Sequence, residues 1–224
     1  MIDVALATFG SGGAEPYARA LRRDDQVLYL RDVDSDSLTP SRAMDVSRWN
    51  DAADVADLSL LDGLDGAVLD IGCGPGRMVR AAMERGLTAL GIDVSPTAVE
   101  IARESGVMVL HRSIFERLPR EGAWGAALLV DGNIGIGGNP SALLARCSEV
   151  ISETGIIVVE VHADPARDHM YDGTVVDIRG HQSAAFPWAE IGRSALQNRA
   201  RRIGLRLTHD WMTGDRFFCR LAKA

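Results

Sequence analysis

The sequence predicts an α/β fold, a seven-stranded and mostly parallel sheet with helices on both faces and an antiparallel C-terminal hairpin strand. Three observations carry this expectation. Between residues 68 and 161, short apolar runs alternate with segments of helical period, the rhythm of strand–helix–strand units. The first of these runs, Val68-Leu-Asp-Ile71, passes directly into Gly72, Gly74 and Gly76 and then into a helical pattern. Near the C-terminus, two apolar runs flank Gly214-Asp215, a hairpin signal.

Residues 1–40 are weakly patterned. Residues 11–13, Ser-Gly-Gly, mark a turn, residues 17–21 a short helix and residues 26–30 a strand. Asp32, Asp34 and Asp36 alternate with Val and Ser like the start of a calcium loop, but the glycine and later glutamate of that motif are missing. An acidic surface turn is expected there. Over residues 41–61, Met44, Val46, Trp49, Ala53, Val55, Leu58 and Leu61 recur at threes and fours, which predicts a helix.

Val68, Leu69 and Ile71 fit a strand buried on both faces, and Asp70 places a carboxylate near its end. Glycines at 72, 74 and 76 let the backbone turn sharply and approach a ligand with no Cβ in the way. The helix through Met78, Val79, Ala82 and Met83 sets its N-terminus against whatever the loop holds. A second strand over residues 88–92 ends at Asp93; Ser95-Pro96 caps the next helix, Gly106 ends it, and residues 107–110 form a third strand. A fourth strand over residues 124–130 opens onto the segment 131–140, DGNIGIGGNP, whose glycines imply a backbone passing close to a ligand, or else a structural glycine-rich turn.

A helix over residues 141–151 and an apolar strand over residues 155–161 complete the parallel part. Residues 162–187 break the rhythm and contain His162, His169 and His181, three of the five histidines. A helical pattern over residues 188–203 and strands over residues 205–213 and 216–221 follow. The domain expectation is an N-terminal extension over residues 1–62, then one domain over residues 63–224 with an insertion at about 162–187.

Composition narrows the function. With 46% hydrophobic and 25% charged residues the 224-residue chain reads as an ordinary globular protein, and a net charge of −7 argues against a nucleic-acid partner. The Arg-rich stretch Arg193, Arg199, Arg201, Arg202 and Arg206 reads as a solvated helix face. Three scattered cysteines, Cys73, Cys147 and Cys219, suit reduced thiols in the cytoplasm. No basic n-region opens the chain and no apolar run approaches the ~18 residues of a membrane span, so neither a signal peptide nor a membrane partner is expected.

Spacing decides between the glycine-rich turns. A dinucleotide fingerprint, G-x-G-x-x-G, would need glycine where Arg77 stands, and no Gly-Lys-Ser/Thr of a P-loop follows. The pattern is D-x-G-x-G-x-G, with Asp93 closing the next strand. Over roughly residues 65–161 this resembles the cofactor loop of class I S-adenosylmethionine-dependent methyltransferases, whose Rossmann-like sheet also ends in an antiparallel hairpin.

The resemblance implies S-adenosyl-L-methionine as cofactor and assigns roles to matching positions. Carbonyls around Gly72 and Cys73, beside Asp70, would accept from its ammonium, with Gly74 and Gly76 completing the loop; Asp93 would hold both ribose hydroxyls. Val94 and Ile114 would close on the adenine, and Val130 ends the fourth strand beside it. The family often has an aspartate for the adenine amino group where Ser113 stands, a weaker acceptor.

Catalytic candidates are Asp131 and His162, at the ends of the fourth and fifth strands. Candidates for substrate contact are Tyr17 and Trp49 with Arg48 as lid residues, Asn133, and His169 and Tyr171 in the insertion, although core packing also explains Trp49 and surface or packing roles explain the insertion histidines. Residues 131–135 lack the Pro-Pro-aromatic motif of adenine N-methyltransferases. The histidines with Asp164 and Asp168 fit no common metal spacing, so no metal is expected. The expected reaction is methyl transfer to a small molecule, at a hydroxyl oxygen, with a homodimer left open. The rivals are a non-catalytic cofactor-binding module, a nicotinamide-dependent oxidoreductase, which Arg77 opposes, and a macromolecular methyltransferase, which the net acidity opposes.

Overall fold

A computed structural model describes residues 8–9, 15–23, 27–34 and 42–224. The turn at residues 11–13, Gln26, Asp36 and Ser41 lie outside the described residues. Helix α1 (Glu15–Leu21) is followed by strands β1 (Val27–Asp32) and β2 (Arg42–Asp45) and by two short helices, α2 (Val46–Asn50) and α3 (Val55–Leu60). The single helix expected over residues 41–61 is therefore a strand and two helices. Two aspartates impose the breaks. Asp45 caps α2 by accepting from the Arg48 N–H. Asp54 opens α3 with a capping box, accepting from Asp57 N at 2.8 Å and donating its own N–H to Asp57 Oδ2 at 3.1 Å.

The alternation after that follows the expected rhythm: β3 (Val68–Ile71), α4 (Arg77–Glu84), β4 (Ala89–Asp93), α5 (Pro96–Glu104), β5 (Val109–His111) and β6 (Trp124–Leu129). A 3₁₀ segment (Asn133–Gly138) leads into α6 (Pro140–Val150) and β7 (Ile151–Val161). Strands β8 (Asp168–Asp177) and β9 (Phe186–Ile191), helix α7 (Arg193–Arg202) and strands β10 (Leu205–Thr213) and β11 (Arg216–Lys223) complete the chain.

Seven strands form one sheet in the order β10-β11-β7-β6-β3-β4-β5. The strands from β5 to β7 are parallel, whereas β11 lies antiparallel to both β7 and β10. Period-two alternation buries both faces. Leu69, Ile71, Leu129 and Val159 pack with Leu143, Leu144 and Leu196 on one, while Val68, Leu128 and Val158 pack with Val79, Ala82 and Val99 on the other.

A second, four-stranded antiparallel sheet has the order β2-β1-β8-β9. It joins the N-terminal strands to the region after residue 162, two stretches that were separate in the sequence reading. The helical pattern over residues 188–203 also divides: Trp188 pairs with Tyr171 and Ile191 with Asp168 in the β8–β9 ladder, and α7 begins only at Arg193. Ladder pairing outweighs the local period. Leu28, Leu30, Val175, Phe186 and Trp188 of this sheet pack on Tyr17, Ala20 and Leu21 of α1.

The glycines after β6 bring the two sheets together. A Cβ on Gly135 would lie 2.4 Å from the Ala189 carbonyl and 2.6 Å from the Trp188 ring, and one on Gly138 would lie 2.7 Å from Pro187 Cβ. Their close approach is to β9. Among the described residues, no helix is long and apolar enough to cross a membrane.

Candidate active site

At the C-terminal ends of β3, β4, β6 and β7, a cavity of about 480 Å³ is lined by both sheets. The glycine loop lines it from the large sheet, and Leu30, Met44 and Trp188 line it from the small one. This is the crevice where ligands bind in doubly wound α/β folds.

The loop takes its shape from its glycines. Gly72, Gly74 and Gly76 have φ of 69°, 54° and 92°. Such angles strain any residue with a Cβ. A Cβ on Gly72 would also sit 2.8 Å from Asn133 Nδ2, and one on Gly76 2.6 Å from Val107 Cγ2. Gly72 N and Cys73 N donate to the Ile92 carbonyl at 2.9 and 3.1 Å, fixing the loop to β4. Cys73 packs its sulphur over Gly91, where a Cβ would come within 2.5 Å. Asn133 Nδ2 donates to Ile71 O at 2.8 Å and Gly72 O at 3.0 Å, holding the loop from the β6 side.

Two buried carboxylates flank the loop. Asp93, 8% exposed, accepts from Gly74 N at 2.8 Å through Oδ2 and from Ser95 N at 2.7 Å through Oδ1. Each oxygen keeps a lone pair, which suits a vicinal diol. Burial raises its pKa against those backbone donors. Asp70, 3% exposed, lines the cavity with its buried Oδ2 lacking a hydrogen-bond partner. Burial first, then the charges of Asp131 and Asp93, push its pKa up to about 8. A buried carboxylate with an unpaired oxygen costs free energy until a cation meets it.

Residues 68–155 match a family model described as a methyltransferase domain. The chain shares the fold of S-adenosylmethionine-dependent methyltransferases, and this stretch is similar to their domain. Among solved structures the chain is similar to a SAM-dependent methyltransferase from Bacteroides fragilis in complex with S-adenosyl-L-homocysteine, at a TM-score of 0.75, 18% identity and 98% coverage of both chains. It is also similar to the CcbJ methyltransferase from Streptomyces caelestis, at a TM-score of 0.60 and 13% identity over 79% of this chain and 92% of that one. A third is the 1,6-didemethyltoxoflavin-N1-methyltransferase of Burkholderia thailandensis, with bound 1,6-didemethyltoxoflavin and S-adenosylhomocysteine, at a TM-score of 0.58 and 18% identity over 79% and 80% of the chains. The first of these extends the shared fold to nearly the whole chain.

Beneath the cavity lies an ionic network built on Asp57, which is fully buried, and Arg77, which is 5% exposed. Arg77 pairs with both Asp57 and Asp131. Arg216 of β11 reaches Asp57 at 2.7 Å, Glu160 at 2.7 Å and Asp131 at 3.3 Å, and Arg48 reaches Asp57 at 3.0 Å. The position that excluded a dinucleotide loop thus carries the central cation. Asp131, whose N–H donates to Glu160 at 2.7 Å, has a φ of 55° and is anchored by two guanidiniums.

Of the other expected residues, Val94, Ser113, Ile114, Val130, Asn133, His162, Tyr17 and Trp49 line the cavity. Ser113 Oγ accepts from Phe115 N at 3.2 Å. His162 Nδ1 accepts from Asp164 N at 3.0 Å. Asn133 donates its amide nitrogen to the loop carbonyls of Ile71 and Gly72. Tyr17 is buried and edges against Trp49 at 5.9 Å, so Trp49 both packs and lines the cavity. His169 and Tyr171, expected as substrate contacts, are not among the residues lining the cavity; they stack on each other at 4.8 Å, and His169 Nε2 meets Asp32 Oδ2 at 2.8 Å across the small sheet. Among the described residues, no group of three or more His, Cys, Asp or Glu is placed to hold a metal ion.

Sequence reading missed Asp57, Glu160, Arg216, Phe9 and Trp188. Glu160 left one signal, a lone charge inside the otherwise apolar strand 156–161. Arg216, 85 residues from Asp131 along the chain, left none.

Proposed function

We propose that this methyltransferase moves the methyl group of S-adenosylmethionine to a small-molecule acceptor bound between its two sheets. The observation that carries this reading is the pairing of Asp70 and Asp93 at the ends of adjacent parallel strands, one with an unpartnered buried oxygen and the other with lone pairs left on both. An ammonium suits the first and a ribose diol the second. The loop glycines leave room for the chain between them, and Val94 and Ile114 supply apolar walls for adenine.

The cofactor supplies a methyl group already activated by its sulphonium. What remains for the protein is alignment, which can contribute roughly 7–11 kcal/mol in favourable cases. Tyr17 and Trp49 close the cavity from the N-terminal side and Trp188 from β9. We read the four-stranded sheet as the acceptor-side cap, replacing the separate extension and insertion of the sequence reading. One structural relative is named for a small-molecule acceptor, which supports the same class here. The three free and buried cysteines agree with a reducing, cytoplasmic setting.

A hydroxyl oxygen, the acceptor atom expected from sequence, needs a base or arrives ionised. Thermal-shift titration separates this function from its main rival. S-adenosylhomocysteine is expected to raise the melting temperature and NAD to leave it unchanged. The reverse pattern would replace methyl transfer by a hydride-transfer reading.

A further inference from the structure

Among the described residues, the proton acceptors on the cavity wall are already engaged. Asp131 is paired with Arg77 and Arg216, and Glu160 accepts from Arg216 at 2.8 and 2.7 Å. Glu190 is held by Arg167 Nε at 3.0 Å and Nη2 at 2.7 Å. Asp45 accepts from the Ser47 hydroxyl at 2.6 Å and caps α2. Asp93 is committed to Gly74 and Ser95 and, on the reading above, to a ribose.

His162 completes the pattern. Its Nδ1 lone pair takes the Asp164 N–H, so in the neutral ring Nε2 carries the proton. It meets a bound molecule as a donor, not as a base. Burial holds the Tyr17 phenol well above its ordinary pKa, so Tyr17 stays neutral. Asp70 Oδ2 is buried without a partner, and on the reading above the ammonium of the cofactor takes it.

Three acceptor chemistries respond differently to such a wall. A neutral hydroxyl loses the roughly 10²–10⁴-fold that a positioned base provides. An oxyanion or thiolate faces the carboxylates Asp45, Asp93, Asp131, Glu160 and Glu190, and the wall arginines have protein partners: Arg48 has Asp57, Arg77 has Asp57 and Asp131, and Arg112 donates to the Arg117 carbonyl at 2.7 Å. Such surroundings oppose ionisation of the acceptor. A neutral nitrogen carries its own lone pair, and the positive charge it gains in the transition state is stabilised by the same acids.

We infer that the acceptor is a neutral nitrogen nucleophile, an amine or a ring nitrogen, on a flat apolar scaffold, and that it attacks without a base from among the described residues. The scaffold fits the aromatic wall of Phe9, Tyr17, Trp49, Phe115 and Trp188. The nitrogen lone pair forms the N–CH₃ bond as the S–CH₃ bond breaks. The electron pair of the broken bond returns to sulphur, leaving a neutral thioether and a positively charged nitrogen that gives any proton it holds to water afterwards.

This inference rests on the methyl-transfer reading, and the test distinguishes the two. Wild-type protein at saturating S-adenosylmethionine is offered naphthylamine, quinoline, naphthol and naphthalenethiol, with S-adenosylhomocysteine and methylated product followed by mass spectrometry between about pH 6 and 9. Product from naphthylamine or quinoline is expected, flat in pH because both probes stay neutral, with naphthol slower by about 10²-fold. Naphthol or naphthalenethiol turning over as fast as the nitrogen probes overturns the inference. So does protein that binds S-adenosylhomocysteine yet methylates neither nitrogen. Protein that fails to bind S-adenosylhomocysteine at all removes the methyl-transfer reading itself.

Discussion

The Asn133 amide donates to the Gly72 carbonyl at 3.0 Å, tying the segment after β6 to the cofactor loop after β3. The same nitrogen donates to Ile71 O at 2.8 Å, so one side chain serves two carbonyls. Asn133→Ala leaves both without this donor. A loss of about 1–3 kcal/mol in unfolding free energy is expected from urea denaturation, with weaker S-adenosylhomocysteine binding. Unchanged stability and unchanged affinity together would show that the clamp does not hold the loop.

Arg77 is the second point of test. Arg77→Met keeps the stem volume and strips the charge from a buried partner of Asp57 and Asp131. Breaking one side of a buried pair typically costs about 3–5 kcal/mol, and Arg48 and Arg216 remain on Asp57, so the lower end is expected. A double-mutant cycle with Asp57→Asn should give a coupling of about 1–3 kcal/mol. Strict additivity would place the two residues outside one network.

Asp70 makes a pH prediction. Its folded pKa, about 8, lies above its ordinary 3.8, so the native state holds the proton more tightly than the unfolded chain. The stability it contributes is full below about pH 4 and is lost as pH rises through about 8. Asp70→Asn should flatten the stability profile across that window. Binding an ammonium ligand ionises Asp70, so wild-type affinity for S-adenosylhomocysteine should rise from pH 6 towards 8 with proton release, read by calorimetry in buffers of different ionisation enthalpy. A pH-independent wild-type affinity would count against Asp70 as the ammonium site.

The cap makes its own prediction. In Gly135→Ala the new methyl meets Ala189 O at 2.4 Å, so β9 must shift, at a cost of about 1–3 kcal/mol. Acceptor turnover is expected to fall while S-adenosylhomocysteine affinity stays within about threefold, because the cofactor loop does not touch this contact. Loss of cofactor binding in folded variant protein would show that the cap and the loop are not separable.

What was legible in sequence follows how local each feature is. The glycine loop, Asp70 and Asp93 fall within a short stretch whose rhythm is dictated by β3, α4 and β4, and the residue at 77 discriminated between loop types. The small sheet is a different matter. Leu28 stands opposite Asp177 and Asp32 opposite Gly173, pairings across most of the chain that no local period encodes. Trp188 carries a helical period and a strand conformation, because its partner Tyr171 settles the matter. The ionic network was hidden for the same reason: Arg77 and Asp57 are 20 residues apart, and Arg216 and Asp57 are 159. Asp131 was visible as a carboxylate after a strand, but not as a paired one.

The central claim is that the pocket flanked by Asp70 and Asp93 holds S-adenosylmethionine. Isothermal titration of wild-type protein with S-adenosylhomocysteine, beside Asp93→Ala shown by circular dichroism to be folded, tests it most directly. One saturable site in the wild type, with affinity lost or weakened at least about tenfold in Asp93→Ala, is the predicted result. Folded wild-type protein that binds neither S-adenosylhomocysteine nor S-adenosylmethionine would contradict it.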